Sequence, residues 1–517
     1  MDVNKYNKLL LALAITGTLS ACNNNDDDNN EDARRQATQN KLDSLIVQHG
    51  ITGDPTQGRS FPSIEDPIAQ LGMKLFFSKA LGGDMDSACV TCHHPSLGGG
   101  DDLSLSIGTG AVDPDLLGPG RESSPSAVNF ANGAPTVPRN APTTFNIALW
   151  DQYLFHDGRV ESEAKTPFTN GSDSGIRTPD RPLDVADVQA GANLSEAQAR
   201  FPVTSDAEMR GFNFEVGNSN DHVRNHLAGR LGNYGMGAGE LVSTTWFDEF
   251  EAAFGINASA PQFLVTYANI AEAIAAYENS QIFVDTPWKA YVEGDKEALS
   301  DEEKAGAVLF YTSIENGGAG CVSCHSGDFF TDEQFHVVAI PQIGEGKGNG
   351  EDGTDDFGRF RESKDPMDMY AFRTPTLLNI AETGPYGHSG AYDTLEEVVR
   401  HHLNPAQAID NYDFDLGHLA QFQGHGEEHF PMAESNTRKA LEQLMSLREM
   451  EMMDDKPVLM DADLSDDEVD ALVAFLHTLT DACVIDRECI GKWIPDASDS
   501  DPDGLRLDAV DDSGNLL

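Results

Sequence analysis

Two Cys-x-x-Cys-His motifs, Cys89-Val-Thr-Cys92-His93 and Cys321-Val-Ser-Cys324-His325, hold the most specific chemistry in this chain. Two thiols one helical turn apart can add to the two vinyl groups of a porphyrin, and the adjacent imidazole then falls on the iron as its fifth ligand. One copy could be accident or half of a zinc site. Two copies, both closed by His and set in matching surroundings, predict two covalently bound haem c groups. Cys89, Cys92, Cys321 and Cys324 are the expected thioether positions, with His93 and His325 as proximal iron ligands.

The elements that must present these motifs are themselves repeated. Leu71-Gly72-Met73-Lys74-Leu75-Phe76 precedes the first motif and Ala305-Gly306-Ala307-Val308-Leu309-Phe310 the second, both reading as amphipathic helices. The first opens at Asp66-Pro67, with proline at the first helical position. The second opens at Ser300-Asp-Glu-Glu303, a capping box. Downstream, Arg139-Asn-Ala-Pro142 to Ala148 matches Arg373-Thr-Pro375 to Ala381, and each block is followed by His-x-Gly, His156-Asp-Gly158 and His388-Ser-Gly390. The cysteines are offset by 321 − 89 = 232 residues and the prolines by 375 − 142 = 233. This pattern predicts a duplicated domain with one haem per copy.

The rest reads as helices and long irregular loops, so the fold class is mainly α. A helix is expected over 262–280, and Ser465-Asp-Asp-Glu468 caps a last one. Strand signals are sparse. Residues 170–205 and 341–368, rich in Gly, Asp and Pro, are expected to run over the surface.

Lys5 and Lys8 precede a short apolar run ending in Leu19-Ser20-Ala21-Cys22, which resembles a bacterial lipobox. That predicts export and lipidation at Cys22; the alternative is an ordinary signal peptide with an incidental Cys. The Asn/Asp-rich stretch behind it reads as a solvated tether. With four cysteines assigned to haem and one to lipid, Cys483 and Cys489 remain, and an oxidising compartment predicts a small disulfide loop between them. The net charge is −52, from 86 acidic and 34 basic residues, which excludes nucleic acid as a partner and leaves the N-terminal lipid as the expected membrane contact. A positively charged electron donor could be steered by this field.

Taken together, the two haem motifs, Arg139 to Thr143, Phe155 to Arg159, Phe372 to Thr376, Pro385 to His388 and Thr394 to Val399 resemble the bacterial dihaem cytochrome c peroxidase / MauG family over roughly residues 60 to 480. The resemblance implies two cytochrome c-like helical domains, one covalent haem each, with calcium between them. It divides the chain into a lipoprotein signal peptide (1–21), a tether (22–40), an N-terminal peroxidatic haem domain (41–284), a C-terminal electron-transfer haem domain (285–480) and an acidic tail with the disulfide (481–517). It implies Glu208 as the distal acid, which would carry a proton from one peroxide oxygen to the other; the alternative is an exposed carboxylate at a helix start. It also implies Asn140, Thr383 and Pro385 as calcium ligands, a hard oxygen set suited to that ion.

Three departures from the family pattern bear on mechanism. Ser106-Ile107-Gly108-Thr109 ends in Thr where the classical peroxidases carry a His that occupies the first iron at rest. The first haem is therefore expected to be open without prior reduction; His94 is the other candidate cap, made difficult by its adjacency to His93. His156 stands where the family has a Trp between the haems, and Trp150 is near in sequence. Where the classical members place a Met on the second iron and MauG a Tyr, the register falls on His402, the alternative being that His401 and His402 only decorate a helix end. Replacing Met by His lowers a haem's potential.

The expected function is reduction of hydrogen peroxide to water with electrons from a small periplasmic cytochrome c or cupredoxin. The alternatives are a MauG-like oxidase of a protein or organic substrate and a non-enzymatic electron carrier. The oligomeric state is open, with a homodimer among the alternatives.

Overall fold

The structure, a computed structural model, describes residues 25–124, 135, 137–450 and 457–517, with side chains from residue 31 onward. The signal segment and Cys22 lie outside the described residues. Six helices set the frame: α1 (Asn25–His49), α2 (Pro67–Phe76), α3 (Tyr267–Asn279), α4 (Asp301–Tyr311), α5 (Leu395–Leu403) and α6 (Asp466–His477). Their starts follow local chemistry. Pro67 opens α2, the Thr266 hydroxyl accepts from Asn269 N at the head of α3, and Ser300 and Ser465 form capping boxes with Glu303 and Glu468. The helix expected from residue 262 begins only at Tyr267, because that Thr266 cap defines the first turn.

The duplication is visible in how the helices cross. In the first half α2 crosses α3 at Gly72, where a Cβ would lie 1.8 Å from Ala273 O and 2.9 Å from Tyr277 Cβ. In the second half α4 crosses α6 at Gly306, where a Cβ would lie 1.8 Å from Ala471 O and 2.9 Å from Phe475 Cβ. Both crossings bring backbone against backbone, which glycine alone permits. Each crossing anchors a separate apolar core, one including Phe76, Trp246 and Tyr277, the other Trp288, Phe310 and Phe475. The molecule is thus mainly helical, two cytochrome c-like halves in one chain. Its strands are short: β1 (Tyr153–Leu154), β2 (Val160–Ser162) and β3 (Ile176–Arg177) pair antiparallel, as do β4 (Phe335–His336) and β5 (Phe372–Arg373).

The halves are joined through the repeated loops. Asn140 N donates to His388 O and Arg373 N donates to His156 O, both at 2.9 Å, so each half's arginine loop binds the other half's His-x-Gly turn. Buried charge crosses the same seam. Arg139 makes a two-pronged contact with Asp356 (2.7 and 2.8 Å) and a third bond to Asp157, while Arg359 reaches Glu161 at 2.9 Å.

Four sequence expectations need correction. Residues 341–368 do not run over the surface: Gln342, Asp355, Asp356 and Arg359 are buried, because this loop supplies the second half's charges to the seam. Residues 170–205 likewise bury Arg177, Thr178, Asp187 and Leu194 against β2 and its neighbours. The tether is helical from Asn25, and Leu42, Leu45 and Ile46 on α1 join the core of the second half, beside α4, rather than the first. The segment after 481 is docked rather than loose. Its disulfide Cys483–Cys489 is formed, Leu507 and Ala509 enter the first core, and Asp503 accepts from Trp246 Nε1 (2.6 Å) and Ser78 Oγ.

Candidate active site

Both Cys-x-x-Cys-His segments form single 3-10 turns, Cys89–Thr91 and Cys321–Ser323, each starting just after an extended or left-handed residue that reverses the chain. His93 Nδ1–H donates to Gly99 O at 3.1 Å, and His325 Nδ1–H donates to Phe330 O at 3.0 Å. A carbonyl can only accept, so each bond fixes the tautomer that leaves Nε2 as a lone pair for a metal. Burial holds both imidazoles below their usual range, His325 at about 4 with His402 adding to the effect. The four thiols are unbridged, and burial raises Cys89, Cys92 and Cys321. Thiols raised in this way disfavour a zinc–thiolate site.

Cys89, Cys92, His93, His156, Glu208 and Lys347 line one cavity. Its wall fits a porphyrin carrying propionates. Arg373 Nη1, Ser106 Oγ, Gln198 Oε1 and Glu278 Oε2 are buried on this wall with no hydrogen-bond partner among the described residues. The Arg373 guanidinium lies 3.3 Å from the Trp150 ring centre, and burial lowers its pKa to about 9. A guanidinium in that state needs an anion, and a propionate would supply one. Burial alone raises the Glu278 carboxyl to about 8.

Glu208 sits in a π-helical turn, Asp206–Arg210, whose amide at Glu208 donates to Ser205 Oγ. Single π turns are frequent at functional sites. The Ser106–Thr109 stretch packs directly on it. A Cβ at Gly108 would lie 2.3 Å from Ala207 O and 2.4 Å from Glu208 O, and Thr109 donates through N to Ala207 O (3.1 Å) and through Oγ1 to Asp206 O (3.0 Å). Arg121 braces the same stretch by donating to Ile107 O and Gly108 O. The Thr109 hydroxyl is thereby committed to the backbone that carries Glu208.

His94 is fully buried with its ring against Phe77, and its Nδ1 accepts from Ser96 N; it is not among the residues of the cavity wall. His156 is on that wall. Its Nε2–H donates to Asn140 O at 3.1 Å, and burial with the nearby Arg139 lowers it to about 4, so the ring is neutral. Trp150 is both packed and present, edge-on to Phe329 and part of the wall. Sequence reasoning missed Lys347. It projects from the glycine-rich turn at 344–350, where Arg361 donates to its carbonyl and to Asn349 Oδ1. Burial, with Arg159 and Arg139 near, lowers Lys347 to about 8. The glycine spacing was the available signal, but nothing local linked it to a cavity in the other half.

In the second half, α5 separates the two neighbouring histidines. His401 is fully buried and uses both ring nitrogens: Nε2–H donates to Val338 O and Nδ1 accepts from Tyr392 Oη, each at 2.7 Å. His402 Nδ1–H donates to Val398 O at 2.8 Å, which keeps Nε2 as its lone-pair nitrogen, and His402 acts electrostatically on His325. Of the pair, His402 is the one with a nitrogen available to a metal beside His325.

Asn140 Nδ2 donates to Leu103 O and Ser104 O, which commits the amide nitrogen and leaves Oδ1 as the atom that could face a cation. Thr383 and Pro385 follow Glu382, whose carbonyl would sit 1.9 Å from a Cβ at Gly98. The three residues thus lie where the 383–390 turn docks on the loop after the first haem motif. Cys324, Asp332 and His336 also come within 4.8 Å of one another, but Asp332 and His336 form an ion pair at 2.7 Å and Cys324 belongs to the attachment motif.

A duplicated cytochrome c-like fold with two Cys-x-x-Cys-His turns defines a c-type dihaem protein. Residues 66–297 match the family model described as di-haem cytochrome c peroxidase. The chain is 25% identical over 384 residues (74% of this chain, 82% of the other) to the methylamine utilization protein MauG of Methylorubrum extorquens. It is 27% identical over 370 residues (71% and 80%) to the cytochrome c551 peroxidase of Pseudomonas aeruginosa. A solved MauG-like protein associated with microbial copper homeostasis shares the fold with a TM-score of 0.51 at 21% identity, covering 86% of this chain and 97% of that one. Residues 66–297 are thus similar to the di-haem cytochrome c peroxidase family, and the chain is an oxidoreductase of the peroxidase type.

Proposed function

We propose that this protein reduces hydrogen peroxide to water in the periplasm, drawing electrons from a small cytochrome c or cupredoxin. One observation carries the reading: Glu208 and His93 line the same cavity, so a proton-carrying group and an iron-ligating imidazole share one chamber. Cys89, Cys92 and His93 would hold a haem there, which would supply an iron for peroxide and electrons for splitting its O–O bond. Glu208 takes a proton from one peroxide oxygen and returns it to the other, so that water is the leaving group. Lys347 adds a cation to the chamber wall and favours anionic ligands there. Arg373 would anchor a propionate, and His156 holds the seam through Asn140 O.

His325 and His402 would hold the second haem's iron, with Cys321 and Cys324 attaching its porphyrin. Calcium at Asn140, Thr383 and Pro385 would tie the halves together. Export, with a lipid anchor at Cys22, places the enzyme where such donors circulate.

Thr109 favours a second reading. Its hydroxyl is tied to Asp206 O, so Thr109 does not stand in for the missing His on the first iron, and peroxide can react without prior reduction. Such a protein could store oxidising equivalents and pass them to a protein or organic substrate. The test is turnover of peroxide by the oxidised holoprotein with reduced cytochrome c. Donor oxidation is expected; a long-lived oxidised species with no donor oxidation would favour the oxidase. A carrier would give neither.

A further inference from the structure

The pair formed by Tyr392 and His401 lies outside the machinery described so far. Tyr392 is buried, and its hydroxyl donates to Nδ1 of His401 at 2.7 Å. Because Val338 O can only accept, Nε2 of His401 carries the hydrogen and Nδ1 presents a lone pair to the phenol. Burial, with Glu397 adding to it, raises the Tyr392 phenol well above its usual range, so it stays protonated at rest.

The rings around this pair form a chain. His401 and His402 have centroids 6.0 Å apart, His401 and Tyr392 5.3 Å, and Tyr392 and Tyr412 5.5 Å. Tyr412 then meets His418 at 5.1 Å and Phe414 at 4.8 Å, and all three are only half-buried. The outer end is acidic: Glu397 and Asp413 act on Tyr412, and Asp413 and Asp415 are exposed. One end of the chain is therefore the histidine assigned to the second iron, and the other is a negatively charged surface.

We propose that Tyr392 is a redox-active tyrosine whose proton is held by His401 while it is oxidised, and that Tyr412 connects it to a cationic reductant at this acidic surface. The inference rests on the peroxidase or oxidase reading, because hydrogen peroxide is the oxidant. Reducing one peroxide to two waters consumes two electrons and two protons. Tyr392 gives up one electron toward the second haem site, and its phenolic proton moves along the hydrogen bond to Nδ1 of His401. An electron from the reductant, passed through Tyr412, restores the phenol and the proton returns. Two such cycles balance one peroxide, with the two protons consumed coming from solvent.

The test mixes the full-length dihaem protein with peroxide, freezes it within milliseconds and records the electron paramagnetic resonance spectrum. An organic-radical signal is expected that narrows when ring-deuterated tyrosine is incorporated and is lost in Tyr392→Phe, while the second haem's low-spin signal is unchanged. Where Tyr392→Phe does not assemble, His401→Phe serves, since removing the proton acceptor must suppress the radical while His402 keeps that haem low-spin. Tyr412→Phe must slow oxidation of hexaammineruthenium(II), a cationic probe. The inference is overturned if peroxide changes the wild-type haem spectrum but no tyrosyl signal forms, or if the signal survives in Tyr392→Phe. If peroxide leaves the haem spectrum unchanged, the peroxidase reading falls and this inference with it.

Discussion

Asn146 and Asn379 donate their side-chain amides to the same acceptor, the carbonyl of Phe283, each at 3.0 Å. They occupy equivalent places in the two copies of the repeat, both with a left-handed backbone (φ 60° and 63°) and both fully buried. Asn146 Oδ1 accepts from Phe283 N just after α3, and Asn379 Oδ1 accepts from Asp481 N just after α6. Each asparagine thus locks the exit of its half's last helix, and the two locks meet at the junction between halves. Asparagine tolerates the left-handed conformation better than most residues. Asn146→Ala and Asn379→Ala should each strand buried backbone groups and destabilise the holoprotein by about 1–3 kcal/mol, read from denaturant unfolding.

The crossing glycines give a steric prediction with the same symmetry. Gly72→Ala and Gly306→Ala each force a methyl to within 1.8 Å of a carbonyl on the partner helix. Both should lose well over about 1 kcal/mol through helix displacement, and expression of the folded holoprotein should fall for each.

Arg139 is the hinge of the buried charge seam. Removing it in Arg139→Leu leaves Asp157 and Asp356 buried without their main cation, an uncompensated state that costs about 3–5 kcal/mol. A drop of that size in unfolding free energy is the expected result, with both haems still attached.

Acid should act on the same cluster. Burial raises the carboxyls of Asp356 and Asp157, but Arg139 outweighs it, leaving Asp356 at about 2 and Asp157 well below its usual range. Folded pKa values depressed below unfolded ones contribute stability that is full above pH ~4 and is lost as pH falls toward 2. Thermal unfolding between pH 6 and pH 2 should show that decline, and Arg139→Leu should flatten it.

His401 and His402 can be separated spectroscopically. His402→Ala should convert the second haem from low-spin to high-spin, whereas His401→Phe should leave its ligation low-spin. Resting-state magnetic resonance and absorption spectra read both outcomes directly.

Much of this was legible because covalent chemistry and repeats leave dense local signals. The haem motifs, the caps at Ser300 and Ser465 and the offset of 232 residues are short-range patterns, and the structure repeats them in its turns and crossings. The disulfide followed from counting cysteines. What was not legible depends on the fold bringing distant segments together. Lys347 enters a chamber built mainly by the other half, and it is the fold that leaves Arg373 Nη1 buried on that chamber's wall. The 341–368 loop has the composition of a surface segment, yet Asp356 and Arg359 are internal because their partners, Arg139 and Glu161, lie about 200 residues away in sequence. The docked tail was missed for the same reason: Leu507 and Ala509 are isolated apolar residues in acidic surroundings, too sparse to show a period.

The central claim is that Glu208 works on peroxide in an open first-haem chamber. Stopped-flow mixing of the fully oxidised protein with hydrogen peroxide, without prior reduction, tests it most directly. The wild type should react at once, and Glu208→Gln, with both haems attached, should react about 10²–10⁴-fold more slowly. Equal rates in the two proteins, or a wild type that stays inert until reduced, would contradict the account.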